Sequence, residues 1–174
     1  MLFRSGGGDY AADRVLPDAV RALMAGEELV LRNPESTRPW QHVLDCLAGY
    51  LTVGARLDGS GSMPDAFNFG PGPDGNRTVG ELVDEFHLHW PGRWRHEAAD
   101  GAARESTRLN LSIDRACACL GWRPAWAFRR AVEATASWYR ARHAGPNHDM
   151  VAFSARQLEE HAEDARLAGA SWAN

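Results

Sequence analysis

Two arginines stand six residues apart in the segment 32–43, RNPESTRPWQHV. The second of them, Arg38, runs directly into a proline and a tryptophan, which restrict its backbone and its side chain. A stiff guanidinium presents a planar fork of N–H donors that binds phosphate oxygens in pairs. The segment therefore predicts an anion site centred on Arg38. The alternative is a structural ion pair with a nearby carboxylate, Glu35 or Asp45.

Arg14 is a second candidate for anion binding. It stands just before a predicted helix N-terminus, where backbone N–H groups favour negative charge. A surface salt bridge with Asp13 or Asp18 is the equally supported alternative.

Three tryptophans could stack a nucleotide base. The candidates are Trp40, Trp122 and Trp126, although tryptophan more often packs in the core.

The sequence Gly-Pro-Gly-Pro-Asp-Gly at 70–75 satisfies the G-x-G-x-x-G pattern of a dinucleotide site. That site works by pointing backbone N–H groups at a pyrophosphate, and the two prolines have none. A plain loop is the favoured interpretation, and no cofactor-binding residue is predicted here.

Metal binding is not predicted. His87 and His89 are two residues apart on a predicted helix and point in different directions. Cys117 and Cys119 are also two residues apart on a predicted helix, so their side chains do not converge either. No metal-ligand set is recognisable by spacing.

Composition excludes several classes of protein. The net charge is −4 and the pI is about 6.0, so nothing draws the chain to nucleic acid or to an anionic membrane. No apolar run reaches the roughly 18 residues that a membrane span needs. Three cysteines argue against a disulfide framework and fit reduced thiols. We expect a cytoplasmic protein.

Periodicity and turn residues predict helices that alternate with short strands, which defines the α/β class. The predicted helices cover 15–25, a stretch after Trp40 reaching Gly54, a stretch after the Thr78–Glu81 capping box, 115–120 (capped by Asp114), 127–142 and, weakly, 154–168. The predicted strands are 28–31, 66–69, 93–97 and 109–111, with loops at 58–65, 70–76 and 98–106.

Four motifs occur in one order along the chain: GGGDYAADRVLPD (6–18), RNPESTRPWQHV (32–43), AFNFGP (66–71) and LGWRPAW (120–126). Together they resemble the C-terminal half of CDP-glucose 4,6-dehydratases, NAD-dependent enzymes of the extended short-chain dehydrogenase family. The resemblance runs from about Gly6 to His143. It implies an α/β substrate-binding part with the N-terminal Rossmann region absent. We divide the chain into 1–146, the sugar-nucleotide-binding part, and 147–174, a polar tail with a short helix.

The resemblance also implies a substrate site. Arg38 would grip the diphosphate of a CDP-sugar or another nucleotide-sugar, with Arg14, Trp40 and Arg104 as further contacts. Arg104 stands where the family usually has the histidine of His-Glu-Ala, which puts the sugar-contacting role of that loop in doubt.

The catalytic residues of the family are not found in this chain. Its enzymes use a Tyr-x-x-x-Lys pair, but the chain contains no lysine, and its three tyrosines are followed four residues later by Arg14, Gly54 and His143. The family reaction oxidises C4 of the hexose with NAD, eliminates water across C5 and C6, and returns the hydride to C6. We expect the NAD glycines and the catalytic pair to precede Met1. The chain alone is then expected to bind no cofactor and to catalyse nothing.

Two other hypotheses stay open. The chain could be a stand-alone module that binds a nucleotide-sugar or forms a homodimer through an exposed sheet edge. It could also come from a related NAD-dependent sugar epimerase, although the segment 32–43 matches the CDP-glucose enzymes better. Only MLFRS precedes the glycine run, which favours truncation over a complete short protein.

Overall fold

A computed structural model describes residues 4–5, 8–57, 66–97, 109–145 and 148–173 of the 174-residue chain. Six α-helices and six short strands occur over these residues, which agrees with the α/β prediction. The helices are α1 (Val15–Ala25), α2 (Val43–Leu57), α3 (Val79–His89), α4 (Asp114–Leu120), α5 (Phe128–His143) and α6 (Met150–Leu167). The strands are β1 (Arg4–Ser5), β2 (Leu29–Leu31), β3 (Thr37–Pro39), β4 (Gln41–His42), β5 (Asn76–Thr78) and β6 (Trp94–His96).

The described strands form three separate pairs. Strands β1 and β4 are parallel, β2 and β6 are parallel, and β3 and β5 are antiparallel. Parallel neighbours need a long crossover connection, which the helices supply here. The antiparallel pair is the one that carries Arg38, opposite Arg77.

The main core lies where α1, α3 and α5 meet strand β2. Its fully buried side chains include Val20, Phe86, Val132 and Tyr139, and Trp40 joins the same cluster. The cluster includes Leu29, Leu31 and Trp40, which also line the cleft described below. Burial of this kind is the main favourable contribution to the fold.

Local patterns predicted several elements correctly. Helix α1 spans the predicted residues, and Gly26 ends it in a left-handed conformation at φ 71°. The predicted capping box opens α3: Glu81 N donates to Thr78 Oγ1 at 3.1 Å, and Thr78 N donates to Glu81 Oε2 at 2.7 Å. Strands 28–31 and 93–97 correspond to β2 and β6.

The predicted strands at 66–69 and 109–111 were wrong. Both segments are irregular. Asn68 Nδ2 donates to the carbonyl O of Ser112 at 3.3 Å, while Gln41 Nε2 donates to the carbonyl O of Phe69 at 2.8 Å. Each of these two backbone carbonyls is therefore satisfied by a side-chain amide.

Two helix boundaries also differ from the prediction. Asp114 is the first residue of α4 and makes no side-chain cap bond there. Helix α6 begins at Met150, because Asp149 Oδ1 accepts from the N–H groups of Val151 and Ala152, both at 3.0 Å. Its Gln157 is buried and donates to the carbonyl O of Ala134 at 2.8 Å, so the helix packs on α5.

Among the described residues, no helix is both long enough and apolar enough to cross a membrane.

Candidate functional site

Arg38 lies in the middle of strand β3 and is only 8% exposed. Its Nη1 donates a hydrogen bond to the carbonyl O of Thr37 at 2.9 Å. The pairing of β3 with β5 fixes its backbone, and the ring of Pro39 fixes the next φ angle. The guanidinium is thus attached to a short, rigid piece of chain, as an oriented anion ligand requires.

Trp40 continues this anchoring. Its backbone N donates to the carbonyl O of Gly75 at 2.8 Å, and its indole Nε1 donates to the carbonyl O of Arg77 at 2.9 Å. The side chain is 4% exposed and packs in the main core. Trp40 therefore holds β3 against the 73–77 segment from within the core.

The turn before Arg38 is attached to the start of α3. Ser36 N donates to the carbonyl O of Asn33 at 3.2 Å and closes the turn. Val79 N then donates to Ser36 O at 3.0 Å, and Gly80 N donates to Pro34 O at 2.9 Å. The first N–H groups of a helix lack partners within it, and here they hold the loop that leads to Arg38.

A cleft of about 280 Å³ opens beside Arg38. Its walls come from the start of α1, from β2 and the turn after it, and from the residues around β3. The lining residues are Asp13, Val15, Asp18, Leu29, Val30, Leu31, Arg32, Asn33, Ser36, Arg38, Trp40 and Val79. Two arginines, a serine hydroxyl and an amide thus meet an apolar strand, a combination suited to an anionic ligand with an apolar portion.

The carboxylates of the cleft already have arginine neighbours. Asp13 Oδ1 lies 3.7 Å from Arg32 Nη2, and Asp18 pairs with Arg21 within α1. Asp13 has a positive φ of 59°, a conformation that non-glycine residues adopt rarely and that Asn and Asp tolerate best.

The predicted site residues have different positions. Arg38 and Trp40 both border the cleft. Arg14 is the half-buried residue before α1; it does not line the cleft, and Asp13 and Asp18, its alternative partners, contact other arginines. Arg104 lies outside the described residues.

The carboxylate alternative for Arg38 is not supported at Asp45. That carboxylate lies elsewhere, where its Oδ1 accepts from Ala125 N at 2.6 Å and contacts His161 Nε2 at 3.0 Å. Arg32 was missed as a lining residue, although the motif that identified Arg38 contains it.

The other candidate tryptophans belong to the core. Trp122 is fully buried in a cluster with Phe69 and Leu120. Trp126 is 3% exposed, and its Nε1 donates to Asp164 Oδ2 at 2.7 Å. The alternative of core packing is confirmed for these two residues, because neither ring is accessible to a base.

The glycine-rich segment 70–75 has a structural role. Gly72 precedes a short 3₁₀ turn, Pro73–Gly75. A Cβ on Gly75 would lie 2.3 Å from Pro71 Cβ and 2.8 Å from the carbonyl O of Trp40. The glycine is needed because β3 passes directly against it. The residues present do not fit the pyrophosphate of NAD, and the interpretation as a loop is confirmed.

Within the described part of the chain, no three His, Cys, Asp or Glu side chains converge as a metal site would require. His89 Nε2 lies 3.7 Å from Glu85 Oε1, and His96 Nε2 lies 3.2 Å from the carbonyl O of Arg32.

A buried cluster of polar side chains lies between α2, α5 and α6, and sequence reasoning missed it. Asp45 is fully buried, and its partner His161 is 4% exposed. His42 lies beside them, with its ring centroid 4.7 Å from that of Trp126. Burial is the main cause that lowers the pKa of His42 to about 3, and electrostatic contributions from His161 and Arg130 act in the same direction. Asp45 and His161 are 116 positions apart, so no local sequence pattern indicates that they form a pair.

A second, larger cavity of about 530 Å³ lies between α2 and α6. Its walls are mainly apolar, with Leu47, Leu51, Leu158 and Trp172 among them, and His161 reaches it from the polar cluster. It contains none of the predicted site residues.

Comparisons with known proteins were made for the sequence and for the fold. No family model matches the chain. The sequence is 34% identical to the CDP-glucose 4,6-dehydratase of Salmonella typhimurium (strain LT2) over 159 residues, which are 90% of this chain and 44% of that enzyme. The chain thus spans less than half the length of the curated relative that it matches.

Solved structures show the same partial correspondence. A UDP-glucose 4-epimerase matches with a TM-score of 0.67 and 22% identity, over 82% of this chain and 45% of its own. The dTDP-glucose 4,6-dehydratase of Bacillus anthracis str. Ames, solved with NAD, has a TM-score of 0.64 and 17% identity, over 79% and 42%. At these identities the matches establish the fold alone.

The fold is therefore similar to that of the C-terminal portions of solved NAD-dependent epimerases and dehydratases. The sequence is similar to that of the C-terminal half of CDP-glucose 4,6-dehydratase, as its four motifs predicted.

Proposed function

We propose that this chain is the nucleotide-sugar-binding part of a CDP-glucose 4,6-dehydratase-like lyase, the type of enzyme that makes a 4-keto-6-deoxy sugar nucleotide. The observation that carries the proposal is the placement of Arg38. It is a buried guanidinium on a rigid strand, in the wall of a cleft that also contains Arg32. The similarity to the Salmonella enzyme supplies the identity of the ligand, CDP-glucose.

The cleft offers each part of such a ligand a suitable contact. Arg38 would pair with diphosphate oxygens, since a planar guanidinium binds them bidentately. Asn33 and Ser36, at the turn held by α3, would hydrogen-bond to ribose or phosphate oxygens. Holding the nucleotide at these points leaves the sugar in one orientation, which is how a binding part contributes to catalysis.

The chain alone is proposed to be inactive as a dehydratase. The sequence has no lysine, so a Tyr-x-x-x-Lys pair is excluded, and segment 70–75 does not fit NAD. These observations favour the second candidate as well, a module that binds a nucleotide-sugar without catalysis. The cytoplasmic location, homodimer formation and the boundary at residue 146 remain predictions.

Calorimetric titration of the purified chain with CDP-glucose tests the proposal. Arg38→Ala should weaken binding by more than about tenfold, because charge-assisted hydrogen bonds contribute roughly 1.5–3 kcal/mol. Arg38→Lys retains the charge without the fork, so its affinity should be intermediate. Arg93→Ala is the matched control, since Arg93 is 83% exposed and outside the cleft, and it should bind like the unchanged chain.

Equal affinity of Arg38→Ala and the unchanged chain would remove Arg38 from the site. Incubation with CDP-glucose and NAD should give no 4-keto product by chromatography. Measurable turnover would contradict the proposal that the chain is only a binding part.

A further inference from the structure

The two arginines of the cleft differ in exposure: Arg38 lies on the buried floor of the cleft, and Arg32 lies at its exposed rim. Arg38, on the floor, is 8% exposed, whereas the side chains of Arg32 and Asp13 are 68% and 81% exposed. Arg32 and Asp13 come from opposite walls, one after β2 and the other before α1. Their closest charged atoms are 3.7 Å apart. This distance exceeds that of a hydrogen bond, so the contact is between charges only.

The backbones that carry this pair are anchored although the side chains are not. The carbonyl O of Arg32 lies 3.2 Å from His96 Nε2 at the end of the β2–β6 pair. On the other wall, Arg21 donates to the carbonyl O atoms of Tyr10 and Ala11 at 3.0 and 3.3 Å. Both walls are thus fixed close to the rim, where the two exposed side chains of Arg32 and Asp13 approach each other.

We infer that Arg32 and Asp13 form an exchangeable ion pair at the rim of the cleft, in which an entering diphosphate takes Arg32 away from Asp13. The inference deepens the proposed function and rests on the cleft being its anion site. A diphosphate carries more negative charge than one carboxylate and accepts both arms of a guanidinium. An exposed ion pair is held weakly, so the exchange costs little.

Asp13 acts against the ligand in this arrangement. Its carboxylate competes with the ligand for the guanidinium of Arg32. Removing the negative charge should therefore strengthen binding, while removing Arg32 should weaken it. Asp13→Asn suits the test because asparagine also tolerates the positive φ of 59° at this position.

The experiment is a double-mutant cycle with two probes, CDP-glucose and inorganic pyrophosphate, titrated by calorimetry into the full chain. We expect Asp13→Asn to bind both about two- to fivefold more tightly, and Arg32→Gln to bind both about fivefold more weakly, as exposed charge contacts allow. The double variant should bind like Arg32→Gln, because Asp13 acts through Arg32. The gain of Asp13→Asn should shrink in high salt.

The matched control is Asp18→Asn, which removes another carboxylate of the same cleft, one paired with Arg21 instead of Arg32. A gain as large as that of Asp13→Asn would mean that net charge alone is responsible and would overturn the inference. So would a gain from Asp13→Asn that persists in full when Arg32 is absent.

The two probes separate this inference from the proposed function. If CDP-glucose binds and the rim variants change nothing, the exchange is wrong and the proposed function stands. If pyrophosphate shows the expected pattern and CDP-glucose does not bind, the exchange stands and the proposed function fails. If neither probe binds the unchanged chain, both fail.

Discussion

Two regions of this molecule bury charged side chains, and they do so in different ways. On strand β3, Arg38 is fixed through its backbone by a neighbouring strand and borders an open cleft. Between α2 and α6, Asp45 and His161 are fixed through each other, at 0% and 4% exposure. We propose that the first arrangement presents a charge to a ligand, whereas the second joins two buried polar side chains to each other inside the fold.

The difference separates binding from stability. A buried hydrogen-bonded pair joins distant parts of the chain, and removing one partner leaves the other buried and uncompensated. An arginine on a braced strand beside a cleft can bind an anion from solution. Substitutions in the α2–α6 region should therefore change the free energy of unfolding, and those in the cleft should change affinity.

The largest effect is expected at Asp45. Asp45→Ala removes the acceptor of Ala125 N and the partner of His161 and should lower the free energy of unfolding by about 3–5 kcal/mol, measured by urea unfolding. Glu97→Ala, which breaks an exposed pair with Arg95, is the control and should cost less than about 1 kcal/mol.

The milder Asp45→Asn should keep the CDP-glucose affinity of the unchanged chain at temperatures where it is folded. An affinity loss as large as that of Arg38→Ala would erase the distinction between the two regions.

Substitutions at two glycines test the same comparison, because one glycine lies next to the cleft region and the other lies in α2. Gly75→Ala would drive a Cβ to 2.8 Å from the carbonyl O of Trp40, next to Arg38. It should lower the free energy of unfolding by about 1–3 kcal/mol and also weaken CDP-glucose binding severalfold. Gly54 lies within α2 with nothing within 4 Å of its Cβ position, so Gly54→Ala should add about 0.5–1 kcal/mol and leave affinity unchanged. Equal effects at the two glycines would contradict the close approach at Gly75.

The pH dependence of stability should originate in the α2–α6 region. The pKa of His42 falls to about 3 in the folded chain. Between pH 6.5 and pH 3, His42 is therefore mostly protonated in the unfolded chain and neutral in the folded chain. The unfolded state therefore gains protons as the pH drops, and stability falls from pH 6.5 towards pH 3, at up to about 1.4 kcal/mol per pH unit. Between pH 6.5 and 5 the loss should be about 2 kcal/mol by urea unfolding.

The corresponding variant is His42→Gln, which should flatten this slope. Burial also lowers the pKa of His87, so His87→Gln should flatten it to a smaller extent. A slope unchanged by His42→Gln would mean that His42 is not the group that resists protonation.

The comparison also explains what could be predicted from sequence. The start of helix α3 follows from a local signal, a capping box within four residues, and an arginine followed by proline and tryptophan marked Arg38, which borders the cleft. Prediction failed at 66–69 and 109–111, which are irregular segments although their residue types favour strands. It also failed at the Asp45–His161 pair, because the contact depends on how α6 packs and not on any spacing. Most residues that line the cleft lie within 29–40, in or beside the motif of Arg38, whereas Asp45 and His161 are 116 positions apart.

The measurement that tests the central claim most directly is a ¹H–¹⁵N NMR titration of the chain with CDP-glucose. The account predicts shifts concentrated at 13–18, 29–40 and Val79, with the signals of Leu47, Leu158 and Trp172 at the α2–α6 cavity unchanged. Shifts concentrated at that cavity, or no shifts at millimolar ligand, would contradict the assignment of the Arg38 cleft as the nucleotide-sugar site.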